Sequence, residues 1–125
     1  MNKKIISTNN SPKPIGAYSQ GVITKDIIFL SGQIGMNKNL ELALGFEKQV
    51  NQCLINIEEL ILSAGFTKEN ISKLTIFLTD LDNFNILNQS MENFFSEPYP
   101  ARSVVQVSKL PKNAFVEIEA ILSRN

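Results

Sequence analysis

A stripe of apolar residues between Phe46 and Ala64 constrains the fold of this chain more than any other feature. Its members are spaced three and four residues apart: Phe46, Val50, Cys53, Leu54, Ile57, Leu60, Ile61 and Ala64. That spacing places them on one face of an α-helix, and such a face must be buried against another layer. Gly65 suits the left-handed backbone conformation with which helices commonly end. Cys53 lies on the stripe and is expected to be a small buried group.

Strand patterns surround this helix. Residues 27–32 (IIFLSG) read as a buried strand that pairs with 19–24 through a turn at Lys25 and Asp26, and further strands are predicted at 73–80, 101–107 and 114–122. A second helix carries Phe84, Leu87, Met91, Phe94 and Phe95, with Asp80 or Asp82 as its cap. The order β-β-α-β-α-β-β predicts an α+β fold, a mixed β-sheet with two helices on one face, and leaves an extra N-terminal strand open.

The last predicted strand alternates in character. Val116, Ile118, Ala120 and Leu122 share the face that should cover the helices, whereas Phe115, Glu117, Glu119 and Ile121 share the other. A face that mixes large apolar groups with carboxylates is typical of a subunit interface. We therefore expect an oligomer.

Composition excludes several classes of function. The chain has 125 residues, which we read as one domain over 1–125, and 12 basic and 12 acidic residues, so no nucleic acid partner is expected. No apolar run reaches the roughly 18 residues of a membrane span, so we expect a cytoplasmic protein without membrane contact. One cysteine and no histidine exclude an internal disulfide and histidine triads and disfavour zinc. We expect neither metal nor cofactor.

One charged residue opens the apolar run after Pro100. Arg102 begins the strand at 101–107, and Glu117 lies on the next strand, so a tight hairpin would bring the two side chains together. They could form a plain ion pair, which at an exposed site contributes only about 0–1 kcal/mol. Alternatively, the planar guanidinium anchors the carboxylate of a small organic acid. Asn88, inside the second helical stripe, is either a structural amide or part of a ligand pocket.

The chain resembles the Rid family of reactive intermediate deaminases, also called the YjgF family. The resemblance rests on IGAYSQ at 15–20, SGQIG at 31–35, AG at 64–65, FLTDLDNF at 77–84, YPARSVVQVSKLP at 99–111 and VEIEAI at 116–121. It implies a fold similar to trimeric chorismate mutase and a homotrimer with ligand pockets between subunits. It also implies hydrolysis of 2-imino acids, such as 2-iminobutanoate and 2-iminopropanoate, to 2-oxo acids and ammonia without a cofactor.

The resemblance also implies roles for particular residues. Arg102 would grip the substrate carboxylate and Glu117 would hold or activate the water, while Tyr18, Ser31, Gly32 and Asn88 would shape the substrate pocket. Val104 stands where many family members have a cysteine, so a thiol cannot act there, although a role of the backbone carbonyl at this substrate-binding position would be preserved.

Three functional hypotheses remain open from the sequence. The first is an imine deaminase that uses Arg102 and Glu117. The second is a trimer that binds small acids without turnover; RNA cleavage, which has been linked to the family, is disfavoured by the neutral charge and the missing histidine. In the third, Arg102 and Glu117 only hold the oligomer together.

Overall fold

The computed structural model describes residues 3–124, which form one six-stranded sheet and two α-helices. Met1, Asn2 and Asn125, which the predicted domain 1–125 includes, lie outside the described residues. The strands are β1 (Lys3–Ile6), β2 (Gly21–Thr24), β3 (Ile27–Ile34), β4 (Ile71–Leu78), β5 (Ala101–Gln106) and β6 (Val116–Ser123). The helices are α1 (Phe46–Ser63) and α2 (Phe84–Phe94), and short 3-10 turns occupy Lys68–Asn70, Leu81–Asn83 and Pro111–Asn113.

The sheet is mixed, as predicted, with strands in the order β1-β2-β3-β6-β4-β5. The β4–β5 pair is parallel and is joined through α2, whereas the other neighbours are antiparallel. The N-terminal strand that the sequence left open is present as β1. The helices cover one sheet face, whose buried side chains from β3, β4 and β6 form the core with α1 and α2. The predicted α+β class and element order are confirmed.

Helix α1 follows the predicted stripe. Val50, Cys53, Ile57 and Leu60 on this face are fully buried. The helix ends in a Schellman motif, in which the Gly65 N–H donates to Leu62 O and the Phe66 N–H to Ile61 O. Gly65 has a φ of 80°, a conformation that costs glycine little. In the described part of the chain, no helix combines the length and apolar character that crossing a bilayer requires, and the cytoplasmic location stays a prediction.

Helix α2 begins at Phe84, later than either predicted cap would place its first residue. The Asp80 carboxylate accepts the Asp82 N–H and so caps the 3-10 turn that leads into α2, rather than α2 itself. Leu87 and Met91 are buried on the core face of the helix. Phe95, also buried, is the first residue after the helix.

The predicted hairpin between the last two strands is wrong. Strand β6 pairs with β3 and β4, so β4 separates it from β5. Residues 107–115 therefore cross over β4 instead of forming a tight turn. Because β5 runs parallel to β4, Arg102 lies beside Leu74, whereas Glu117 on antiparallel β6 lies beside Phe77.

Within residues 3–124, no helix covers the second face of the sheet. On this open face, Phe29 pairs with Ile121, and Phe77 pairs with Val105 on one side and Glu117 on the other. Large apolar side chains are at least 40% exposed here: Ile27, Phe29, Val105, Phe115 and Ile121. The mixed character predicted for β6 is thus real, since Glu117 and Glu119 stand among them.

Candidate functional site

Arg102 lies on the helix face of the sheet at its β5 edge. One guanidinium nitrogen, Nη2, donates a hydrogen bond to Asn88 Oδ1 on α2, and the guanidinium carbon lies 5.2 Å from the centre of the Phe84 ring. Asn88 thus ties the helix to a strand and also lines a cavity. Because Asn88 uses one of the five N–H donors of the fork and Arg102 is exposed, donors remain available to a ligand.

The cavity beside Arg102, here called the anchor pocket, has a volume of about 350 Å³. Its apolar wall consists of Leu74, Met91, Phe95, Tyr99 and Pro100, and its polar side of Asn88, Glu92 and Arg102. Val104 lies two residues after Arg102 on the same face and packs against the core. A cationic fork over an apolar wall can bind a small carboxylate whose other end is apolar.

Glu117 occupies a different place, on the open face of the sheet. Its carboxylate lies directly against Gly32, so that a Cβ atom at Gly32 would stand 2.2 Å from Glu117 Oε2. The β3–β6 register shifts between Leu30 and Gln33, which makes a bulge at Ser31 and Gly32 beside the carboxylate. Burial raises the pKa of Glu117 above its ordinary value, and the nearby charge of Glu119 raises this pKa further.

Tyr18 and Ser31 lie in the same cavity as Glu117 and Gly32. Ser31 Oγ donates to Ser19 O at 2.6 Å, and the Tyr18 hydroxyl accepts the Ile15 N–H at 3.3 Å. This cavity, here called the carboxyl pocket, has a volume of about 510 Å³. Three further groups of residues line it: Pro12, Lys13 and Ile15 of the N-terminal loop; Gln20, Gln33, Ile34 and Met36 around β3; and Pro111, Lys112 and Glu119. A carboxyl group of raised pKa is, when ionised, a stronger base than an ordinary glutamate, so beside hydroxyl groups it can accept and return a proton.

The structure therefore divides the predicted site into two parts. Arg102 and Asn88 line the anchor pocket, whereas Tyr18, Ser31, Gly32 and Glu117 line the carboxyl pocket. Leu74 and Phe77, the β4 partners of Arg102 and Glu117, are three residues apart and face opposite sides. Two strand spacings of about 4.8 Å and three residues of about 3.3 Å each put the Cα atoms of Arg102 and Glu117 roughly 14 Å apart. Within one chain they cannot hold the same small ligand.

Three buried amides that the sequence reading overlooked fix the loops around the carboxyl pocket. Gln49 donates to Ala43 O and accepts the Phe115 N–H, and Asn56 donates to Met36 O. Both fall on the buried face of α1, so the same polar interruption that drew attention to Asn88 could have revealed them. Gln20 ends the motif IGAYSQ at 15–20, but no periodic pattern marks its side chain as buried.

Among residues 3–124, no group of three or more cysteine, aspartate or glutamate side chains is placed to hold a metal ion. The Cys53 thiol is fully buried and donates to Gln33 O at 3.1 Å. Burial raises the pKa of this thiol, so it stays protonated and takes no part in the two pockets.

Comparison with known proteins gives full-length matches. The family described as endoribonuclease L-PSP matches residues 8–123. A RutC family protein of Buchnera aphidicola is 45% identical over 98% of both chains. A 2-iminobutanoate/2-iminopropanoate deaminase of Dermatophagoides farinae is 42% identical over 96% of this chain and 95% of its own. The crystal structure of Escherichia coli TdcF with bound serine is 40% identical, has a TM-score of 0.94 and covers 98% of this chain and 99% of its own.

Proposed function

Because the chain belongs to the endoribonuclease L-PSP family, which includes the YjgF and Rid proteins, we propose that it hydrolyses 2-imino acids to 2-oxo acids and ammonia. Its substrates would be small, such as 2-iminobutanoate and 2-iminopropanoate, the acids named in the relatives from Dermatophagoides farinae and Rattus norvegicus. The observation that carries the proposal is the Glu117 carboxyl group, half-buried against Gly32 with a raised pKa. A site that only bound anions would gain nothing from a carboxylate.

The proposed reaction needs little from the protein, because a protonated imine is already a strong electrophile. Arg102 holds the substrate carboxylate with two N–H donors, which fixes the position of C2. Water adds to C2 while Glu117 accepts one of its protons, and a carbinolamine forms. Glu117 returns that proton to the nitrogen, and the C–N bond breaks to release ammonia. The Glu117 carboxylate takes the hydroxyl proton as the 2-oxo group forms and then passes it to ammonia, which leaves as ammonium.

We propose further that the anchor pocket of one subunit meets the carboxyl pocket of the next in a homotrimer. Two features support this arrangement: Arg102 and Glu117 cannot share a ligand within one chain, and the open face exposes large apolar groups that a second copy could cover. Sedimentation equilibrium should give a mass of about 42 kDa, three times the 14.0 kDa of one chain. A monomer would contradict the shared site.

The activity is tested with imine generated in the assay. A threonine dehydratase supplies 2-iminobutanoate, semicarbazide traps what remains, and the active protein lowers the yield of trapped product. Arg102→Ala should reduce kcat/KM by about 10- to 100-fold, because a hydrogen bond to a charged group contributes about 1.5–3 kcal/mol. Glu117→Gln should lower kcat. Trapped product at the level of buffer alone would refute the function.

Arg124→Ala is the matched control, since Arg124 is the other arginine of the chain and is also exposed. Its guanidinium lies 4.1 Å from the centre of the Phe66 ring, far from both pockets. We expect this variant to keep the activity of the unchanged protein. Equal losses in both arginine variants would assign the effect to stability rather than to substrate binding.

Mixing the two weakened variants tests whether the site is shared. Arg102→Ala subunits keep Glu117, and Glu117→Gln subunits keep Arg102. After joint refolding in equal amounts, about one quarter of the sites between neighbours combine both intact halves, because each half is intact with a probability of about one half. Recovery of about a quarter of the activity supports the shared site, and no recovery contradicts it.

A second candidate is binding of small acids without turnover. The bound serine in the TdcF structure favours it, since serine carries a carboxylate and is not an imine. In that case titration calorimetry would detect 2-oxobutanoate binding that Arg102→Ala abolishes, while the trapping assay would show no effect of the protein.

A further inference from the structure

Gln20 makes an unusual set of contacts at the edge of the carboxyl pocket. Its side chain is only 3% exposed, and Oε1 accepts the Thr8 N–H at 2.8 Å. Nε2 donates to Pro12 O at 2.8 Å and to Thr8 O at 3.2 Å. One amide therefore hydrogen-bonds main-chain groups at both ends of the five-residue segment from Thr8 to Pro12. A replacement that cannot do so leaves these partly buried polar groups without their partner.

The backbone of the same residue holds the opposite wall. Gln20 O accepts the Ser31 N–H at 3.0 Å, next to the bulge that makes room for the Glu117 carboxylate. Gln20 thus connects two parts of the carboxyl pocket, the bulge on β3 and the loop of residues 8–15.

The loop 8–15 lines the pocket directly. Pro12, Lys13 and Ile15 contribute to its wall, and the Ile15 N–H donates to the Tyr18 hydroxyl. A second attachment, from Ser11 Oγ to Asn56 O at 2.9 Å, holds the middle of the loop to α1. Without Gln20, Thr8 and Pro12 lose their partners, and Ile15 and Tyr18 lose the support that orients them.

We infer that Gln20 is a positioning residue, which fixes loop 8–15 against Ser31 and so sets the shape of the carboxyl pocket. Its effects on turnover and on 2-oxobutanoate affinity rest on the proposed function, whereas its effect on the loop, which hydrogen exchange measures, does not. In this role Gln20 acts through the loop, Ser31 and Tyr18.

Gln20→Glu is the most informative variant, because it preserves size and the acceptor for the Thr8 N–H. Above its pKa the new carboxylate presents a second oxygen to the carbonyl groups of Thr8 and Pro12 and repels them. When protonated, it can donate to one of them again. At about pH 8, kcat/KM and 2-oxobutanoate affinity should fall by about tenfold or more, since small displacements in a site are costly. Relative to the unchanged protein, both should recover toward about pH 5.

Hydrogen exchange separates this role from a general loss of stability. In Gln20→Glu at about pH 8, amides of residues 8–15 should exchange faster than in the unchanged protein. Gln49→Glu is the matched control, since Gln49 is equally buried and also pairs one main-chain N–H with one carbonyl. It should lower global stability without selectively exposing residues 8–15.

Each outcome decides the inference. Faster loop exchange together with weaker 2-oxobutanoate binding and recovery at acidic pH supports it. Unchanged loop exchange, or unchanged affinity despite faster exchange, overturns it. If Gln20→Glu does not fold, Gln20→Met, which removes the hydrogen bonds but keeps the length, is judged by the same two measurements. If the unchanged protein lacks deaminase activity, only the proposed function fails.

Discussion

Gly32→Ala tests the geometry of the carboxyl pocket with a single methyl group. The new Cβ would stand 2.2 Å from Glu117 Oε2, 2.8 Å from Cδ and 3.0 Å from Cγ. Ordinary non-bonded contacts between heavy atoms are about 3.5–4.0 Å, so the carboxyl group must move by about 1 Å. The glutamate side chain is flexible and can rotate away, whereas the bulge that contains Gly32 is held on both sides by the paired residues Leu30 and Gln33. The methyl group therefore displaces the Glu117 carboxylate and leaves the fold in place.

A displacement of about 1 Å at a reacting group can cost about 100-fold in rate, or about 2.7 kcal/mol of transition-state stabilisation. We expect kcat/KM in the imine-trapping assay to fall by about that factor. The free energy of unfolding should change by no more than about 1 kcal/mol, because alanine loses less backbone entropy than glycine in a strand, which offsets the rotamer strain of Glu117. Chemical denaturation of the same preparation measures this second quantity.

A double-mutant cycle identifies the cause of the loss. If Gly32→Ala acts through the carboxylate, adding it to Glu117→Gln should reduce activity little further, since the group it displaces is already inactive. Activity of Gly32→Ala equal to that of the unchanged protein would refute the reasoning. An equal further loss in the Glu117→Gln background would show that the methyl group acts on something else.

Three further perturbations have defined outcomes. Glu119→Gln removes a charge that raises the pKa of Glu117, so the Glu117 carboxylate should stay ionised at lower pH. The acid limb of the pH profile of kcat/KM should therefore move to lower pH, and an unmoved limb contradicts this. Asn88→Ala frees the Arg102 guanidinium, so KM should rise by about tenfold with little change in kcat, and a pure kcat effect would contradict the anchoring role. Ile121→Lys places a charge on the open face, so sedimentation should show dissociation of the oligomer and activity should be lost. An intact oligomer would show that the interface does not use this face.

Local patterns predicted most of the elements correctly for a physical reason. The stripe of α1 and the alternation of β6 each record which side chains face the core, and burial fixes them within a single segment. Gly65 likewise marks a backbone conformation that glycine adopts at little cost. Asn88 was identifiable because an amide within an apolar stripe needs a partner, and that partner is Arg102.

Strand order could not be read in the same way. The pattern of β6 is satisfied equally beside β5 or between β3 and β4, because alternation specifies a face and not a neighbour. Adjacent strands in sequence often pair, which favoured the hairpin, but the parallel β4–β5 pair leaves β6 the other edge of β4. Gln20 was missed because its partners, Thr8 and Pro12, belong to a loop whose path no local pattern defines.

The strand order that contradicts the hairpin prediction also leaves the charged groups of Arg102 and Glu117 available for the proposed reaction. As cross-strand neighbours, Arg102 and Glu117 would pair with each other, and a guanidinium beside the carboxylate would lower the pKa of Glu117. With β4 between them and the two side chains on opposite faces, burial and Glu119 raise that pKa instead. Arg102 uses one N–H donor in its hydrogen bond to the neutral Asn88 side chain, so its positive charge remains available to an anion. The two groups then act on one substrate only when a second subunit brings an anchor pocket to a carboxyl pocket, so that the proposed catalysis depends on assembly.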